Sequence, residues 1–281
     1  MSARQEPITG TAAGVPFTAL PPAGEAETPA PLVVTWHMLD APRTNAAFAA
    51  ALPMHAVPAW RIHLGMPLSG ARMPEGGLAA AAAVIREDAM LSFVDAFVRQ
   101  ATGEFPAALA ELRERFPLDD GPIGLAGGSL GGAVVLRHLV ENRFPVRAAA
   151  LVNPAVRARS VVGLVEAMTG PYSWTPEANA AADLLDFVAL AGELAARTPQ
   201  VPLLLVSGEE DHPSLRTDAA ELVDALRERY TRPEDVRLTT VPGLAHPLAD
   251  EPGLEPAPQL PVATVVDEEI TRWFAGHLTR P

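Results

Sequence analysis

The sequence predicts an α/β protein, a mainly parallel central sheet flanked by helices, and three observations predict it. Short apolar runs bounded by turn residues alternate with segments whose apolar residues recur at helical spacing. One such run, Pro122-Ile123-Gly124-Leu125-Ala126, passes through small residues around Ser129 into an apolar helical pattern, which reads as strand, sharp turn and helix. Several other runs end in loops that carry polar residues, and open α/β sheets bind their ligands just outside the carboxyl ends of the strands.

Composition agrees with one domain over residues 1–281. Of the 281 residues 48% are hydrophobic and 20% charged, which supplies a core and argues against global disorder. A formal charge of −13 argues against a nucleic-acid partner, because phosphate binding rests on clustered Lys and Arg. The chain has no cysteine, which excludes disulfides, a thiol nucleophile and thiolate metal sites. Met1-Ser2-Ala3-Arg4-Gln5-Glu6-Pro7 lacks the basic and apolar regions of a secretory leader, so a cytoplasmic location is expected. The Ala-rich run 78–85 is too short to span a bilayer, so no membrane partner is expected either.

In order along the chain, residues 15–20 read as a peripheral antiparallel strand or hairpin, since the prolines around them suit an edge and not a sheet centre. Leu32-Val33-Val34-Thr35-Trp36 is a buried strand that delivers His37-Met38-Leu39-Asp40 at its end. Residues 45–52 read as a short helix and 59–64 as the next strand. Residues 86–100 and 107–116 read as helical material, with Ala89, Met90, Phe93, Val94, Phe97 and Val98 on one apolar face. After the turn at Ser129 and its helix, residues 148–152 form a strand ending at Asn153-Pro154. Residues 155–199 are helical and longer than one crossover requires, which makes them a candidate helical lid; the competing reading is a crossover with one extra packed helix. Residues 201–207 are a strand ending in Gly208-Glu209-Glu210-Asp211-His212, and 219–230 an amphipathic helix. Residues 236–241 are the last strand, ending in Pro242-Gly243-Leu244-Ala245-His246. A proline-rich passage then leads to a terminal helix whose Val265, Ile270, Trp273 and Phe274 should face the body.

The candidate site follows from that order. Gly127-Gly128-Ser129-Leu130-Gly131 fits the G-x-S-x-G nucleophile elbow, in which a serine on a strained turn stands clear of the sheet at a helix N-terminus. No Lys follows as a phosphate-binding loop requires, and the spacing does not suit a dinucleotide site. Ser129, Asp211 and His246 lie on loops after three different strands, in the order serine, acid, histidine. Glu209 and Glu210 compete with Asp211 for the acid role, whereas His37, His55 and His63 read as structural.

These motifs, with Val33-Val34-Thr35-Trp36-His37, resemble the α/β-hydrolase superfamily, in particular single-domain esterases related to prolyl-oligopeptidase-like and dienelactone-hydrolase-like proteins. The resemblance runs from Leu32 to the C-terminal helix, with Met38 standing where the family usually has the glycine of a His-Gly pair. It implies an α/β-hydrolase fold with Ser129 as nucleophile, His246 as base and Asp211 as the acid that orients it. It also implies an oxyanion hole built from the N–H of Leu130 with that of Met38 or Leu39. The expected activity is serine esterase chemistry on a small-molecule ester, with no metal or cofactor. A serine peptidase or thioesterase, or a non-catalytic ligand-binding member of the fold, is the alternative. Met168, Tyr172 and Trp174, near the middle of the candidate lid, are the expected acyl-binding residues.

Overall fold

The computed structural model describes residues 6–24 and 28–278. Residues 1–5, which hold most of the stretch read for a leader, lie outside them, as do 25–27 and 279–281. Eight strands form one sheet in the order β1-β2-β4-β3-β5-β6-β7-β8. The first pair, β1 (Ile8–Ala12) and β2 (Val15–Leu20), is an antiparallel hairpin at one edge, and β2 runs antiparallel to β4 (Trp60–Leu64). All other pairings are parallel, through β3 (Leu32–Trp36), β5 (Ile123–Gly128), β6 (Val146–Val152), β7 (Leu203–Gly208) and β8 (Val236–Val241).

Parallel strands covered on both faces must be apolar on both sides, and β3 and β7 are. Val34, Trp36, Leu203 and Leu205 point into one core layer, while Val33, Leu204 and Val206 point into the other. The first layer is closed by α3 (Ala96–Arg115), α4 (Leu130–Glu141) and α8 (Pro213–Arg227), and the second by α1 (Asn45–Ala51) and α9 (Pro261–Leu278). Helices on both faces of a mainly parallel sheet leave only its two ends for a ligand.

Two boundaries and the facing of one residue differ from the sequence reading. Pro106 does not divide the helical material of 86–116: α3 runs through it for 20 residues, because Phe105, Ala108, Leu109 and Leu112 on either side bury one continuous face. Upstream, α2 (Gly77–Glu87) is followed by a π-helical segment, Ala89–Asp95, capped by Asp88, whose Oδ1 accepts from the N–H groups of Met90 and Leu91. Second, α8 begins at Pro213 rather than near 219, with proline in the first helical turn where its missing N–H costs nothing. Third, Val265 is exposed, and Ala263 and Val266 take the inward positions beside Ile270, Trp273 and Phe274. Among the described residues no helix is long and apolar enough to cross a membrane.

The long connection between β6 and β7 forms α5 (Ala158–Thr169), α6 (Pro176–Asp183) and α7 (Ala191–Ala195). Val162, Val165, Leu185 and Phe187 bury into the same core layer as α3 and α4. Arg157 anchors its start, with Nη1 2.7 Å from Asp218 and Nε 3.3 Å from Asp186.

Candidate active site

The elbow is built by close approach of backbone to backbone. A Cβ on Gly127 would lie 2.2 Å from the Gly131 carbonyl oxygen, and one on Gly131 would lie 2.2 Å from that of Trp36. No side chain fits at either position, so the strand, the turn and the N-terminus of α4 can touch only through glycine. Ser129 itself sits at φ 50 and ψ −121, a conformation costing about 1–3 kcal/mol that its surroundings impose. Its N–H donates to Val152 O at 3.0 Å, and its carbonyl accepts from Gly132 at 2.9 Å and Ala155 at 3.0 Å. The hydroxyl is thereby aimed past the ends of β5 and β6.

Two other loops meet it. His246 Nε2 lies 2.9 Å from Ser129 Oγ, and His246 Nδ1 lies 2.7 Å from Asp211 Oδ1. All three residues are buried, at 8%, 3% and 7% exposure for Ser129, Asp211 and His246. The sequence order serine, acid, histidine thus becomes one hydrogen-bonded chain at the carboxyl ends of the parallel strands. Asp211 Oδ1 also accepts from the His212 N–H at 2.7 Å, which holds the carboxylate in place from its own loop. Glu209 and Glu210 are exposed and enter this architecture through their backbone, donating to Val241 O and Leu244 O. His212 is exposed, its ring centroid 5.3 Å from that of His246. Asp211, His212 and His246 present ligand atoms within 4.8 Å of one another. Both nitrogens of His246 already face Asp211 and Ser129, so a cation there would compete with the chain.

His37 is fixed as a neutral structural ring. Its Nδ1–H donates to Met38 O at 2.5 Å and its Nε2 accepts from the Met66 N–H at 3.0 Å, which ties the loop after β3 to the loop after β4. Burial, the dominant cause, pushes its pKa down to about 4, partly offset by the bond to Met38 O. Met38 is fully buried, and Gly128 makes the room: a Cβ on Gly128 would lie 2.6 Å from Met38 Cγ. The large Met38 side chain is therefore matched by a missing side chain on the neighbouring strand. Leu130, the first residue of α4, has one of the N–H groups that a helix start leaves without an intrahelical partner.

One residue that organises the site carries no sequence motif. Asn153 is fully buried at φ 43, directly after β6. Its Oδ1 accepts from the Gly208 N–H at 2.7 Å, while its Nδ2 donates to Ala245 O at 2.8 Å and His246 O at 3.0 Å. One amide side chain thus joins the strand end beside the elbow to the acid loop and to the histidine loop. An amide is needed because only it accepts at one end and donates twice at the other. Asn153→Asp, which keeps the shape but places an oxygen against two carbonyls, is expected to lower kcat by roughly 100-fold with KM changed much less. Steady-state kinetics beside a thermal melt checks this; a lowered melting temperature with kcat intact would assign Asn153 to stability alone.

The residues expected to bind an acyl chain are not joined to the triad by any hydrogen bond or ring contact among the described residues. Met168 is 78% exposed at the end of α5. Tyr172 donates from its hydroxyl to Asp88 Oδ1 at 2.7 Å and from its N–H to Glu166 Oε1 at 2.7 Å. Trp174 meets Tyr172 edge-on at 5.0 Å and carries the Arg159 guanidinium 5.4 Å above its ring. These bonds dock the α5–α6 turn onto the cap of the π-helical segment.

Eight strands in this order, helices on both faces and a serine elbow at the sheet's carboxyl end define the α/β-hydrolase fold. Comparison of structures agrees. The chain is similar to a Thermus thermophilus protein of known structure, TT1662, at 21% identity with a TM-score of 0.63, over 96% of this chain and 99% of that one. It is also similar to carboxyl esterase 2 of the mycorrhizal fungus Tuber melanosporum, at 14% identity and TM-score 0.63, over 99% and 88%. A puromycin-hydrolyzing peptidase of Mycobacterium tuberculosis matches at 17% identity and TM-score 0.63, this chain covering 40% of it. The sequence matches no protein-family profile and no curated protein.

Proposed function

We propose that this protein is a serine hydrolase that cleaves carboxylic esters of small to medium acyl substrates through an acyl-enzyme. The observation that carries the reading is the continuous chain from Ser129 Oγ through His246 to Asp211, at 2.9 and 2.7 Å. Serine is a weak nucleophile at its own pKa, so His246 Nε2 takes the Oγ proton as the oxygen attacks the carbonyl carbon. Asp211 holds the tautomer with the proton on Nδ1 and stabilises the imidazolium that forms. The oxyanion is held by the Leu130 N–H with that of Met38 or Leu39, each donor contributing roughly 3 kcal/mol. The intermediate collapses as Nε2 returns the proton to the leaving oxygen. Water, deprotonated by the same nitrogen, then releases the acid and restores Ser129.

Peptidases share this machinery, and a solved peptidase is among the similar structures. Aminoacyl amides and thioesters therefore belong in the substrate panel beside esters. An intact hydrogen-bonded triad speaks against a non-catalytic ligand-binding member of the fold. A fluorophosphonate probe is expected to label the wild type at Ser129 and to leave Ser129→Ala unlabelled, with ester hydrolysis falling on the order of 10⁴-fold or more. Labelling at another serine, or none on folded protein, would remove the reading.

Within that reading we assign residues 155–199 as a helical cover, with Met168, Tyr172 and Trp174 on its acyl-facing side. Support comes from the surplus length of the connection and from the exposure of Met168. Each buried methylene of an acyl chain is worth about 0.8 kcal/mol. Trp174→Ala should then shift relative kcat/KM across an ester series and leave Ser129 reactive to a small probe. A uniform loss with a lower melting temperature would make Trp174 a packing residue.

A further inference from the structure

Asp40 is a charged side chain at the site that the triad does not use. It follows His37, Met38 and Leu39 on the loop leaving β3, and its Oδ2 lies 3.5 Å from His246 Nε2, the nitrogen that faces Ser129 Oγ. The Asp40 side chain is 50% exposed, so the carboxylate stands at the mouth of the site and not beneath it. Its loop is held there by backbone: the Leu248 N–H donates to Ala41 O at 2.9 Å and the Arg43 N–H to Gly253 O at 2.7 Å. The cation nearest in sequence is otherwise engaged. The Arg43 guanidinium donates to both oxygens of Glu251 at 2.9 and 2.7 Å and to the carbonyls of Leu39 and Pro252. Among the described residues, the only ion-pair contact of Asp40 is His246.

From this geometry we infer that Asp40 is a specificity residue that selects esters with a positively charged leaving group; the inference rests on the serine-hydrolase reading. His246 Nε2 hands its proton to the leaving oxygen, so that oxygen must come within hydrogen-bond distance of Nε2. A carboxylate 3.5 Å from the same nitrogen is therefore beside the leaving group. With a neutral leaving group, Asp40 competes with the leaving oxygen for the Nε2 proton. A cation carried two carbons from that oxygen rests against the carboxylate and removes the competition, and an anion there meets like charge. Half exposure and salt screen the interaction, which sets its effect on the order of ten-fold in each direction.

The test uses three acetate esters: that of choline, that of its carbon isostere with a tert-butyl group in place of trimethylammonium, and that of 3-hydroxypropionate, whose carboxylate is also carried two carbons from the ester oxygen. The expected wild-type order of kcat/KM is cationic above neutral above anionic, each step about ten-fold and narrowing at high salt. Asp40→Asn should bring the three within about three-fold of one another, and Asp40→Lys should reverse the order. A preference for the choline ester that survives Asp40→Asn, or a wild type indifferent to charge, overturns the inference. The neutral ester separates the two levels of the claim. If the wild type hydrolyses it and labels at Ser129 without any charge preference, Asp40 alone has been misread. If folded wild type neither turns it over nor labels, the serine-hydrolase reading fails and takes this inference with it.

Discussion

Asp211→Asn is expected to lower kcat on the order of 10⁴-fold at neutral pH, with KM changed little and the protein still folded. The cause is local. In the native site Asp211 Oδ1 takes two donors, the His246 Nδ1–H at 2.7 Å and the His212 N–H at 2.7 Å, while Oδ2 is buried without a partner. An asparagine that keeps its oxygen at the Oδ1 position retains both bonds but loses the negative charge opposite the forming imidazolium. It also buries an unpartnered NH₂ where Oδ2 was. The flipped amide instead puts N–H against Nδ1 and forces the proton to Nε2, where the base can no longer accept from Ser129. Both orientations cost transition-state stabilisation, and neither touches the acyl side. Glu209→Gln and Glu210→Gln should change kcat less than about two-fold, because each reaches the architecture through its backbone N–H and exposes its side chain. Stopped assays on the three variants with circular dichroism as a folding control decide it; a larger loss from either glutamine variant would move the acid.

What the sequence made legible was whatever repeats a local physical signature. Continuous apolar runs mark buried parallel strands, so β3, β5 and β7 were readable to within two residues. The elbow was readable because the close contacts of Gly127 and Gly131 admit only glycine. Pro106 misled because local propensity breaks a helix there, while the tertiary face of Phe105, Ala108 and Leu109 outweighs the lost bond. Val265 misled because its helical position lies one step outside the stripe that Ala263, Val266 and Ile270 bury. Asn153 and Asp40 were legible only as residues of loops at strand ends, not in their roles. Their importance lies in partners 55 to 93 positions distant for Asn153, and in a loop meeting His246 for Asp40, and no local pattern encodes such contacts.

Stability should collapse between about pH 6.5 and 4, and three buried histidines account for it. His37, His63 and His138 have pKa values pushed down, chiefly by burial, to about 4, 3 and 3, with nearby Arg72, Arg61 and Arg143 respectively adding to the effect. A proton on His37 Nε2 would face the Met66 N–H that it now accepts. His63 has only Thr35 Oγ1 on Nδ1 at 2.8 Å, and its Nε2 has no partner. His138 is enclosed by Trp36, Phe105 and Phe144, with ring centroids 5.0 to 5.2 Å away and neither nitrogen bonded. The unfolded chain binds these protons near pH 6.5 and the folded chain does not, so stability is fully present above that pH and is lost as pH falls. By pH 5 each ring forfeits about 2 kcal/mol, about 6 together, and the figure depends little on whether a folded pKa is 3 or 4, since both lie below 5. Asp267 acts oppositely: burial pushes its pKa up to about 6, so it regains stability on the way down. That offset is about 1 kcal/mol at pH 5, too small to cancel three histidines. Urea denaturation at pH 7.5 and 5.0 should therefore differ by several kcal/mol, a large part of the roughly 5–15 kcal/mol of a typical domain. His138→Leu, which fills the aromatic cage without a titrating group, should flatten the slope by one proton and raise stability at pH 5. Equal stability at the two pH values, or a slope unchanged in His138→Leu, would mean that these rings are protonated or solvated in the native state.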